Sequence, residues 1–137
     1  MSDVAVGMFV DITKTDAMKQ IVFGWGSVTS VNGVEYVDKQ EDVITELELE
    51  TAVYEFMEAP MHDKMHEELV PTSVFVESMV ITDEKLKAMF PDQPLPVGKR
   101  GWWVGIKIND KEIFAKHLSG EYTGFSITGQ AVRQDVS

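Results

Sequence analysis

The first forty residues carry the apolar and polar spacing of strands. Gln20-Ile21-Val22-Phe23-Gly24-Trp25-Gly26-Ser27-Val28 runs into Val31-Asn32-Gly33-Val34. Asn-Gly between apolar residues is the strongest short hairpin signal, because both central residues of the tight turn need positive φ. A hairpin centred on Asn32-Gly33 is therefore expected. Further on, Thr45 and Glu48 stand at capping-box spacing, and Leu49, Val53, Phe56 and Met57 recur at the helical period. The pattern predicts a helix over about 45 to 58, ended by Pro60. Met61 to Pro71 has no clear period and reads as a loop or short turn.

Ser73 to Ile81 is a β-prone run. Strict alternation puts Val74, Val76 and Val80 on one face and Phe75, Glu77 and Met79 on the other. This predicts a central strand, apolar on both faces, with Glu77 enclosed and in need of a partner. Thr82 or Asp83 is placed to cap a short helix carrying Leu86, Met89 and Phe90. Pro91 to Gly101 is expected to be an exposed excursion. Trp102 to Ile108 is again a strand, and its adjacent tryptophans must point to opposite faces, one into the core and one toward a peptide groove or a dimer surface. Asp110 caps a helix through Leu118, which Gly120 stops. The last strand follows. The order lacks the regular βαβ alternation and the Gly-rich loop of a nucleotide-binding fold. The expected class is α+β, a mostly antiparallel sheet or small barrel with about three short helices, in a single domain over residues 1–137.

Composition narrows the function. No apolar run approaches the ~20 residues of a membrane-spanning helix. The start, Met1-Ser2-Asp3-Val4, lacks the basic and apolar blocks of a secretory signal, so a soluble, non-exported domain is expected. A net charge of −11 argues against nucleic acid, whose phosphates are held by Lys and Arg clusters. Acidity serves solubility first, and it would also suit basic peptide partners. With no cysteine, disulfides, thiolate catalysis and zinc fingers are excluded.

The segment Gly120-Glu121-Tyr122-Thr123-Gly124-Phe125-Ser126-Ile127-Thr128-Gly129 offers the best nucleophile. Alternation puts Phe125, Ile127 and Ala131 on one face and Gly124, Ser126, Thr128 and Gln130 on the other. The glycines clear space for a close backbone approach. A serine hydroxyl needs a base to become nucleophilic, and the chain has three histidines. His117 falls in the last turn of a helix, where interaction with the helix C-terminus would account for it. His62 and His66 lie four apart beside acids. The HExxH order is absent and a third ligand is missing, so neither a metal nor another cofactor is expected. On spacing alone both could be surface histidines. Glu77 is a candidate to orient an imidazole, ahead of Asp63, and equally a candidate for a buried ion pair with Lys107 or Arg133. Backbone N–H groups near Ser126 and Gly129, or the guanidinium of Arg133, are candidate oxyanion donors.

Several ordered segments together carry a family resemblance. They are Ile21-Val22-Phe23-Gly24-Trp25-Gly26-Ser27-Val28, Val37-Asp38-Lys39-Gln40-Glu41-Asp42-Val43-Ile44, Met65-His66, Val76-Glu77-Ser78, Gly101-Trp102-Trp103-Val104-Gly105 and the Gly120 to Ile127 run. The chain resembles the XkdF-like branch of tailed-phage prohead maturation serine proteases, related in fold to the herpesvirus assemblins. The resemblance implies a serine endopeptidase with Ser126 as nucleophile and His66 as base. His62 is the alternative base, since Met61-His62-Asp63 is similar to the histidine-aspartate form of related prohead proteases. The implied substrates are scaffold protein and major capsid protein, cleaved inside proheads in the host cytoplasm, and assemblin relatives imply a possible homodimer. Glu41 replaces the glycine usual in the Asp-x-x-Gly-Asp run, which touches a turn rather than the chemistry. Only eleven residues follow Ser126, so the third catalytic role is expected from Glu77 and the oxyanion role from Arg133. The alternative expectation is an assembly or scaffold-binding domain that keeps the fold with an incomplete site.

Overall fold

The computed structural model describes residues 9–38, 41, 43–59, 73–126 and 131–132. Strands β1 (Phe9–Asp16), β2 (Ile21–Val31) and β3 (Val34–Glu35) come first, followed by helix α1 (Glu46–Glu58). Then come β4 (Ser73–Ile81), α2 (Asp83–Met89), β5 (Lys99–Ile108), α3 (Lys111–Leu118), β6 (Gly124–Ser126) and β7 (Ala131–Val132). The strands form one antiparallel sheet in the order β4-β5-β2-β1-β6-β7, with β3 paired to β2. Three helices and a dominant antiparallel sheet make the fold α+β. Among the described residues the sheet is open, so of the two forms expected it is the sheet and not the closed barrel.

Local chemistry explains each turn and cap. Asn32 and Gly33 have φ of 53° and 82°, the paired positive values of a tight hairpin turn, and Val31 stands opposite Val34. Thr45 accepts the Glu48 N–H while Glu48 Oε1 accepts the Thr45 N–H, closing the capping box of α1. The helix ends at Glu58, and Ala59 is extended, as the residue before a proline favours. Thr82 caps α2, and Asp110 caps α3 by accepting from the N–H groups of Glu112 and Ile113.

One face of the sheet is the core. Val10, Val22, Val80, Trp102, Val104, Ile106 and Ile108 are buried together with Leu49, Val53 and Phe56 of α1 and Phe114 of α3. Trp102 lies parallel to Phe75 at 6.0 Å between ring centroids and edge-on to Phe56 at 5.8 Å. Trp103 points the other way, stacked on Phe23 at 6.2 Å and edge-on to Trp25 at 5.2 Å. The tryptophan pair thus divides between the two faces as the sequence requires.

β4 departs from expectation twice. It is an edge strand of the described sheet, paired only with β5, rather than a central one. It also carries a bulge: Phe75 stands opposite Ile106 but Glu77 opposite Gly105, so Val76 is an extra residue. The bulge changes the parity of the strand. Ser73 and Phe75 face the core before it, and Ser78 and Val80 after it. Glu77 is thereby turned to the opposite face, where it is exposed rather than enclosed in apolar surroundings.

Candidate active site

Ser126 closes strand β6, and the chain around it is positioned from both sides. After α3, Gly120 turns the chain with φ of 88°, and the Tyr122 N–H returns to the Lys116 carbonyl at 3.0 Å. The Ile12 N–H then donates to the Thr123 carbonyl at 3.1 Å, delivering the chain into the sheet. β6 pairs with β1 through Phe9 opposite Ser126, Val10 opposite Phe125 and Asp11 opposite Gly124. On its other side, Gly124 and Phe125 pair with Val132 and Ala131 of β7. Val10 is fully buried in the core, so positions 124 and 126 have the parity of the opposite, open face.

A cross-strand row runs over that open face. Gly124 stands opposite Asp11, Asp11 opposite Trp25, Trp25 opposite Trp103 and Trp103 opposite Met79. Asp11 is exposed, and it is the one acid that β1 sets in register with β6. Sequence reasoning missed it. The alternation Val10-Asp11-Ile12 could have put a carboxylate on the polar face, but no local signal announces that β1 pairs with a strand more than a hundred residues away.

The remaining candidates fall differently. His62, His66, Gly129 and Arg133 lie outside the described residues. Glu77 sits on β4, and β5, β2 and β1 intervene before β6. Four strand spacings amount to about 19 Å across the sheet, so the sheet does not bring Glu77 to Ser126. The alternative of a buried Glu77–Lys107 ion pair is not formed either: both residues are exposed, and Lys107 stands opposite Val74. Among the described residues no group of three or more His, Asp or Glu could hold a metal ion, and no helix is long and apolar enough to cross a membrane.

His117 lies in the last turn of α3, as expected, but it is buried there. It is 4% exposed, edge-on to Tyr122 at 5.5 Å, and neither ring nitrogen has a hydrogen-bond partner. Burial pushes its pKa below the ordinary 6.5, opposed only in part by the nearby Tyr122 backbone. Its i, i+3 spacing from Phe114, which is also buried, is the signal that could have shown it facing inward.

An α+β sheet that carries Ser126 at the end of a short strand paired on both sides is compatible with acyl-transfer chemistry. The chain belongs to the family described as "Putative phage serine protease XkdF", whose model matches residues 9–135. No curated protein and no solved structure is similar enough to give a match.

Proposed function

We propose that this phage serine protease is the endopeptidase of capsid maturation, cleaving scaffold and major capsid protein within the assembling prohead in the host cytoplasm. The supporting observation is Ser126 itself: it lies in the matched family region and closes a strand fixed between β1 and β7. In the proposed reaction Ser126 Oγ attacks the scissile carbonyl carbon while His66, or His62 in its place, takes the hydroxyl proton. The C–N bond breaks as that proton passes to the leaving amine. Water then attacks the acyl-enzyme, the histidine takes a proton from it, and Ser126 is released as the hydroxyl. Backbone N–H groups near Gly129, or Arg133, stabilise the oxyanion. Glu77, across the sheet from β6, has no part in this scheme.

Co-expression with the capsid and scaffold proteins of the same phage tests the proposal, with intact-mass analysis of wild type, Ser126→Ala, His66→Ala and His62→Ala. Processing that disappears with Ser126 and with one of the two histidines is the expected result and names the base. Unchanged processing by Ser126→Ala would overturn it. A folded wild type that processes nothing would favour an assembly or scaffold-binding domain instead.

A further inference from the structure

The end of the sheet farthest from Ser126 holds a second feature. Met18, Lys19, Gln20, Ile21, Lys107 and Asn109 line an open depression of about 560 Å³ where the β1–β2 turn meets the end of β5. Gln20, one of the lining residues, is held in place. Gln20 has φ of 57°, uncommon for a residue with a side chain. It is held there by two bonds to one residue: the Ile108 N–H donates to the Gln20 carbonyl at 2.8 Å, and Gln20 Nε2 donates to the Ile108 carbonyl at 2.7 Å. These bonds fix the end of the β1–β2 turn against the end of β5.

The lining is cationic in a chain of net charge −11. Among the described residues neither ammonium group is paired with a carboxylate. The ion pairs among the described residues join Lys85 to Glu50 and Arg100 to Asp83. The nearby Asp16 accepts the backbone N–H of Lys19 at 3.0 Å rather than its ammonium. Met18 is 96% exposed, an apolar side chain with three rotatable bonds and an adaptable contact surface. Two lysines with no carboxylate partner among the described residues, beside an exposed methionine, match an acidic segment with interspersed apolar residues.

We propose that this depression is a docking site for an acidic peptide segment, whose carboxylates pair with Lys19 and Lys107 and whose apolar residues rest on Met18 and Ile21. The site shares a sheet face with the position of Ser126. Ile21, Phe23 and Trp25 alternate along that face of β2, and Lys14 lies over the Phe23 ring at 5.4 Å. β1 runs from Asp16, opposite Ile21, to Phe9, opposite Ser126. That separation is roughly seven residues or about 23 Å of extended chain. On the peptidase reading, the depression would hold substrate well away from the cleaved bond.

The test is fluorescence anisotropy with the Ser126→Ala protein and a short labelled peptide alternating Glu and Leu. Docking is thus measured without turnover, and its failure leaves the peptidase reading standing. The Glu/Leu peptide is expected to bind, to lose affinity as salt rises, and to bind roughly tenfold or more weakly to a K19E/K107E variant. A K87E/K99E variant carries the same change of net charge on exposed lysines elsewhere and is expected to bind as the parent does. Equal weakening in both variants would reduce the effect to bulk charge and overturn the site. So would equal binding of a Gln/Leu peptide, or no binding at all. Displacement by inorganic phosphate at low concentration would overturn the peptide and leave a small-anion site.

Discussion

Trp102 donates its indole N–H to Ser78 Oγ at 2.8 Å on the core face of the sheet. The bond depends on the bulge at Val76, which turns Ser78 to the face where Trp102 packs against Phe75 and Phe56. Removing the hydroxyl leaves the donor of a side chain that is 1% exposed without its partner, a loss of about 1–3 kcal/mol. Ser78→Ala is expected to lower unfolding free energy by that amount in urea titration. Trp102→Phe on top of it should add less than it does alone, because the donor is then already unpaired. Additive effects would show that the two residues are not coupled.

Gly24 stands where β2 passes the bulge in β1. A β-carbon there would overlap the carbonyl oxygen of Asp11 and lie 2.7 Å from its carbonyl carbon, with backbone on both sides of the clash. Gly24→Ala must therefore push β1 away from β2, at a cost of about 3 kcal/mol. β1 is also the strand that holds β6 and Ser126 in place, so cleavage should fall with stability. Gly33→Ala serves as the comparison, since its added carbon meets nothing within 4 Å and only its φ of 82° is strained. That change is expected to cost about 1 kcal/mol and leave cleavage intact. Denaturant midpoints and processing assays on the two variants decide it.

The features legible in the sequence are those with local causes. The α1 capping box, the Asn32-Gly33 turn and the Thr82 and Asp110 caps each lie within a few residues of the structure they produce. Glu77 was misplaced because a bulge has no comparable signature. One extra residue at Val76 reverses the parity of everything beyond it, and only the packing of Phe75 and Ser78 around Trp102 reveals where the extra residue sits. The candidate site divides in the same way. A strand through Ser126 could be read from its alternation, whereas the pairing of that strand with β1, and with it the placement of Asp11, is a long-range fact.

His117 gives the stability a pH dependence of known sign. Burial holds its pKa in the folded protein below the ordinary 6.5, so near that pH the unfolded chain binds more protons than the folded one. Stability is then greatest above the unfolded value and declines as pH falls below it, until the folded imidazole also protonates. Glu48 and Glu50 have lowered pKa values, Glu48 through its bonds to Thr45 and Glu50 chiefly through its bond to Lys85. Their contributions are lost only at more acidic pH, below 4.5. His117→Leu should therefore flatten the dependence that begins as pH falls below about 6.5 and leave the acid limb below 4.5 in place. It should also retain stability at pH 8, because it removes two buried nitrogens that have no partner. Urea titrations across this range would refute the assignment if the two proteins lost stability in parallel.

Arg100 ties the Pro91 to Gly98 excursion to the body of the protein. Its Nε donates to Asp83 Oδ1 at 2.7 Å, its Nη2 to the Pro96 carbonyl at 2.6 Å and its Nη1 to the Lys99 carbonyl at 3.2 Å. A planar fork can serve three acceptors in fixed directions, and a lysine ammonium on a flexible stem cannot reproduce that geometry. Asp83 is 61% exposed, so solvent screening limits the ion pair to under about 1 kcal/mol of global stability. The larger consequence is local. With the Pro96 carbonyl released, the Asn32 N–H to Gly98 carbonyl bond at 2.9 Å still fastens the excursion to the hairpin, but local opening becomes easier. Arg100→Lys is expected to raise thermolysin cleavage before Val97 severalfold while moving the denaturation midpoint little. Cleavage at the wild-type rate would show that the guanidinium bonds do not hold the excursion. A large loss of global stability would instead mean that Arg100 supports the sheet.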